Sequence, residues 1–168
     1  MGKFVPISGP VVASTVYVEN QLAARDVSIS LPEVAAVMVD VQATGSLSIP
    51  IWALIENMEM TINKIGVDKG LRTMIKPGSQ NIESRFVQTV TEASGATRNV
   101  GCKAFTRVLS QKIPGIAPAI GEASENECAY TVTRYQLFVD GEEMFLIDKL
   151  AGIVRIGGVD YASMDGLL

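Results

Sequence analysis

The run "YQLFVDGEEMFLID", residues 135–148, constrains the fold more than any other stretch of this 168-residue chain. Two strand-like segments flank Asp140-Gly141. An Asp-Gly pair between such segments favours a type I′ turn, because both residues tolerate positive φ and the turn's twist matches that of two antiparallel strands. Near its end, then, the chain is committed to an antiparallel sheet.

The same period-two logic recurs upstream. Met58, Met60 and Ile62 alternate with Glu59, Thr61 and Asn63, which predicts a strand with one apolar and one polar face. A one-residue slip would bury the three polar side chains at roughly 1–3 kcal/mol each, so the apolar face must pack on the core. Further strands are predicted at 14–18, 26–31, 34–41, 47–55, 85–91, 100–109 and 153–156. Turns are expected at Ser94-Gly95 and Gly157-Gly158, and a loop over 113–127. Pro50 demotes the 47–55 run to an edge strand or an extended loop. Only 66–76 reads as helical, with Val67, Leu71, Met74 and Ile75 on one side, and Pro77-Gly78 stops it. About nine short strands to one helix predict a mainly β protein of sandwich or barrel type.

Charged residues make up 19% of the chain, against about 25% in ordinary soluble domains, and the mean hydropathy is +0.28. Three uncharged stretches, 4–18, 41–55 and 113–121, hold the excess. Each is too short and too broken by Pro and Gly for a membrane helix. Pro6, Gly9 and Pro10 interrupt any signal-peptide core, and Pro6 stands where a myristoylation motif needs Ser or Thr. No membrane insertion and a cytosolic compartment are expected. Apolar surface in such a chain is either a large core or a surface for self-association. A net charge of −4 disfavours a basic nucleic-acid-binding face.

With no histidine in the chain, Ser-His-Asp and Cys-His catalysis is excluded. Phosphate-binding glycine motifs are absent as well. Glu142-Glu143 and the acids Glu122, Glu125 and Glu127 sit in turns or loops, where solvation explains them better than a paired-carboxylate cleft. Asp148, at a strand end, is expected to accept backbone hydrogen bonds in a turn. Cys102 alternates with Val100 and Ala104 and should point into the core. Two cysteines without histidine make a poor zinc site. No catalytic residue, cofactor or metal is expected.

The C-terminal run resembles the end of the major tail tube proteins of phages with contractile tails, and of related contractile bacteriocins. An aromatic strand with Tyr135 leads to Asp140-Gly141, then to Ile147-Asp148, Gly158-Val159-Asp160 and Gly166-Leu167. The Leu31-Pro32 step and the single mid-chain helix fit the same pattern. The resemblance implies a single tail tube domain over 1–168, with an N-terminal arm at about 1–13 and an extended loop at about 42–53. It implies stacked hexameric rings whose strands join an intersubunit β-barrel around a channel for DNA ejection. Implied partners are the sheath, a tape measure protein in the lumen, and baseplate and tail terminator proteins. DNA would pass without specific binding, and the protein would reside in the virion tail after assembly in the bacterial cytoplasm.

On this reading Glu59, Thr61 and Asn63 are lumen-facing candidates, on a wall expected to be uncharged or acidic. Phe4, Val5, Ile49 and Trp52 are candidates for inter-ring contact. Two alternatives stay open: the tube of another injection machine, type VI secretion-like or from a non-contractile tail, and a small ligand-binding β-barrel.

Overall fold

The computed structural model describes residues 6–168. These form β1 (Ile7–Val18), β2 (Gln21–Arg25), β3 (Ser28–Ser30), β4 (Ala36–Ala43), β5 (Gly45–Ile55), β6 (Met58–Ile65), helix α1 (Lys69–Met74), β7 (Ser79–Thr91), β8 (Thr97–Ser110), β9 (Glu125–Val139), β10 (Glu142–Asp148), β11 (Ile153–Ile156) and β12 (Val159–Asp160). The class is mainly β, as the alternating pattern requires. The strands run longer than the sequence suggests, because cross-strand pairing carries them through weakly β-forming residues.

All pairing is antiparallel, in the order β12-β11-β10-β9-β8-β7-β1-β2. The sheet branches at β9. On one side β9 pairs with β8; on the other, Arg134–Val139 pair with β10 and Glu125–Val132 pair with β6. Thr133 drops out of the β8 ladder between Arg107↔Arg134 and Val108↔Val132. An extra residue of this kind is a β-bulge, and it bends the strand where its partner changes. The branch continues from β6 to β3.

Both branches pack on one apolar core. Val16, Val18, Met58, Met60, Ile62, Ile82, Val108, Tyr130, Val132 and Ile147 are all essentially buried in it. Met58, Met60 and Ile62 face inward and Glu59, Thr61 and Asn63 outward, the sense the alternation demands. Cys102 and Cys128 are free, buried thiols, and burial pushes both pKa values up.

Helix α1 is shorter than predicted. Leu71 and Met74 are buried, but Val67 precedes the helix and is exposed. Asp68 caps it by accepting the Leu71 N–H at 3.1 Å and also pairs with the buried Lys64 at 3.0 Å. These two contacts, the backbone bond first, hold the Asp68 carboxyl below its ordinary range. The C-terminal carbonyls are met from the sheet: the Tyr130 hydroxyl donates to Met74 O at 2.8 Å, and the Gln80 amide to Thr73 O and Lys76 O. A six-residue helix is not stable alone, so these anchors decide its existence.

Two sequence expectations change here. The extended loop at 42–53 belongs to a regular two-stranded sheet, β4 with β5, apart from the main one. Of the two readings Pro50 allowed, the edge strand holds, because both strands of a free hairpin are edges. The described part of the N-terminal arm is also a strand: Ile7 to Ala13 pair with β7, with register breaks between Ser8/Val11 and Val11/Ala13 where Gly9 and Pro10 intervene.

Two predictions follow from backbone geometry. Alanine is the better helix former by about 1 kcal/mol, so propensity alone says that Gly70→Ala should stabilise. A Cβ there would lie 2.0 Å from the Ala23 carbonyl oxygen of β2. The helix must then shift off the sheet at roughly 1–3 kcal/mol, which outweighs the gain. A lower urea midpoint is expected; a midpoint at or above wild type would mean that the contact can relax freely. At the β9–β10 turn, Asp140 and Gly141 have φ of 52° and 80°, as a type I′ turn requires. Gly141→Val forces a β-branched residue into that region at about 1–3 kcal/mol. Its melting temperature should fall and assembly should fail, whereas wild-type-like melting would show that the turn can switch type.

Candidate assembly surfaces

The most unusual surface is the β4–β5 hairpin. Register places Val37 opposite Ile51, Val39 opposite Ile49 and Val41 opposite Leu47. Alternation puts these six on one face. The other face carries Met38 and Pro50 near its base, then Asp40 hydrogen-bonded by Ser48, then Gln42 and Ser46. Between residues 36 and 55 the only charge is Asp40. Leu47 is 57% exposed and Val39 43%, although the strand pattern marks them for burial. A two-stranded hairpin is marginal in water without a further layer. Ile49 and Trp52, both part-exposed, belong to this arm. Phe4 and Val5 lie outside the described residues.

A second surface is the edge of β1. Its C-terminal half lies between β7 and β2, but β2 reaches only Thr15 to Val18. From Ile7 to Ala13 one edge of the strand has no partner among the described residues, and Ile7, Val11 and Val12 are all more than half exposed. Unpaired edges are usually blunted by charge. This one has none; only Pro10 and the breaks in register interrupt it.

The third surface is the outward face of the sheet. Glu59, Thr61 and Asn63 stand opposite Thr131, Ala129 and Glu127 of β9. Asn57 and Gln111 amides donate to the Glu59 carboxylate at 3.2 and 3.4 Å. The same face runs on to Arg85, Lys103, Phe105, Arg107, Arg134, Glu143 and Arg155. Arg155 holds Glu143 through two bonds of 2.8 and 3.0 Å and keeps its carboxyl below the usual range. Glu83 pairs with Arg85 at 2.5 Å, and Asp148 with Arg134 at 3.8 Å. The outward face that holds the lumen-facing candidates Glu59, Thr61 and Asn63 carries charges of both signs. The basic members come from β7, β8, β9 and β11, distant in sequence from β6, so reading β6 alone could not find them.

The Asp148 carboxylate caps its turn as expected, accepting from Leu150 and Ala151 N–H at 3.1 Å each. Among the described residues no group of three or more metal-ligating side chains converges, and no helix is long and apolar enough to cross a membrane.

Comparison with known proteins gives a fold neighbour and a family. One chain of an extracellular contractile injection system, solved by cryo-EM as the PVC sheath–tube complex in its extended state, has a similar fold. The TM-score is 0.52 at 13% identity, over 77% of this chain and 90% of that one. No curated protein matches. The family model described as phage tail tube protein FII matches residues 11–164. That match covers nearly the whole chain, and the protein belongs to the phage tail tube FII family.

Proposed function

We propose that this protein forms the inner tail tube as stacked hexameric rings, with strands of neighbouring subunits closing a continuous β-barrel around a channel. One observation carries this reading: the β4–β5 hairpin, whose only charge is Asp40, exposes Val39, Val41, Leu47 and Ile49 on one apolar face. The unpaired edge of β1 supports it, since closing a barrel across subunits removes such edges. In this arrangement the hairpin, with Ile49 and Trp52, bridges to neighbouring rings, together with the N-terminal residues Phe4 and Val5. The sheath surrounds the tube, a tape measure protein fills it before ejection, and baseplate and terminator proteins close its ends. The assembled tube is a virion component, built in the bacterial cytoplasm, that conducts DNA into the host without sequence-specific binding. The likeness to a chain of an extracellular contractile injection system favours a second reading, a tube of the same architecture in an injection machine without a genome.

The reading predicts that Ile49→Asp leaves the monomer folded, because the side chain is already 37% exposed, but abolishes polymerisation. In sedimentation velocity the wild type should shift to large species as concentration rises while the variant stays small. A variant that polymerises like wild type would remove the hairpin from the contact. A second prediction places Glu59, Thr61 and Asn63 on the channel wall. Glu59→Lys should still assemble, since the site is exposed. Its particles should eject DNA more slowly, most markedly at low salt where phosphate attraction is least screened. Unchanged ejection at every salt concentration would put this face elsewhere.

A further inference from the structure

The outward face contains a depression of about 210 Å³ lined by Tyr17, Asn20, Asn81, Glu83, Phe105, Arg107 and Arg134, among others. Arg107 of β8 and Arg134 of β9 are directly opposite each other in the ladder. Like charges so placed, with Cβ atoms about 5 Å apart, repel. Arg134 is compensated in part by Asp148 at 3.8 Å and by a hydrogen bond to Gln136. Arg107 has no side-chain hydrogen bond and no carboxylate within 4 Å among the described residues.

The acids nearby are already engaged. Glu83 is held by Arg85 at 2.5 Å, and Glu19 accepts the Asn81 backbone N–H at 2.8 Å. Two neutral donors remain on the rim. The Asn20 amide belongs to the β1–β2 turn, where Glu19 and Asn20 both have positive φ (49° and 65°). The Asn81 side chain comes from β7, opposite Arg107. The Arg107 and Arg134 residues and the Asn20 and Asn81 residues therefore line a small concave site in which Arg107 lacks a carboxylate partner, while the one acid of the lining, Glu83, is paired with Arg85. Planar guanidinium forks match a tetrahedral oxyanion with several acceptor oxygens.

We infer that this depression is a phosphate-group site, centred on Arg107 and Arg134, that holds one phosphate without reading any base. The pocket depends only on the folded subunit; that its phosphate belongs to passing nucleic acid rests on the tube reading. Repeated around a ring, such sites would give the channel a set of weak, sequence-independent contacts.

The test uses the purified full chain and a fluorescein-labelled single-stranded DNA oligonucleotide, read by anisotropy. Inorganic phosphate serves as competitor against chloride of equal ionic strength. Arg107→Gln should weaken oligonucleotide binding about tenfold and lower the salt slope by about one. Lys112→Gln removes an equal charge from an exposed pair with Glu127, and should change binding less than about twofold. Phosphate should compete and chloride should not. If the oligonucleotide fails to bind but inorganic phosphate raises the melting temperature of wild type and not of Arg107→Gln, the site stands with a free phosphate as its ligand. Equal effects of the two substitutions, or no phosphate-specific effect in either assay, would overturn the site. Because the depression lies within one subunit, a protein that binds phosphate and never polymerises would sink the tube reading and leave the pocket intact.

Discussion

The subunit depends on the ladder of β9. This 15-residue strand is paired along one side by β8 and shared on the other between β6 and β10. Its inward side chains, Cys128, Tyr130, Val132 and Tyr135, lie in the centre of the core. Tyr130 also reaches through the core to anchor the helix. The bulge at Thr133 lets one strand serve two partners, and so lets a single sheet turn around one core. Loss of that ladder would separate the C-terminal hairpins from the β6 branch and leave α1 without its anchor.

The same ladder sorts the exterior. Residues pointing away from the core on β7 to β11 form one broad polar face, on which most cations have acidic partners. Two margins, the free half of β1 and the β4–β5 hairpin, expose runs of apolar strand residues. In a solitary subunit both margins are liabilities, because uncharged edges and uncovered apolar strands recruit other chains. In the proposed tube they are the surfaces through which identical subunits join. Two of the three uncharged stretches noticeable in the sequence, 4–18 and 41–55, fall on these margins.

Much of this was legible in the sequence, and the misses have physical causes. The Asp140-Gly141 turn, the inward Met58, Met60 and Ile62, the capping role of Asp148 and the buried Cys102 all follow from local rules. Strand β2, Gln-Leu-Ala-Ala-Arg, has little β propensity and exists through its pairing with β1 and the close approach of Gly70, both long-range effects. Pro50 and the Gly9-Pro10 pair obscured two strands, since prolines are tolerated at the free edges these strands present. The predicted helix began too early because Val67 continues the apolar spacing while Asp68 sets the cap. The Arg107–Arg134 depression draws its lining from four strands and a turn, so no linear motif could announce it.

The central claim is that the exposed hairpin and the free β1 edge are intersubunit surfaces of a tube. Negative-stain electron microscopy of the purified protein across a concentration series tests it most directly. Stacked rings or hollow tubes, formed without added cofactor, are the predicted result. Discrete monomers at the highest concentration, with no rings at any stage, would contradict it.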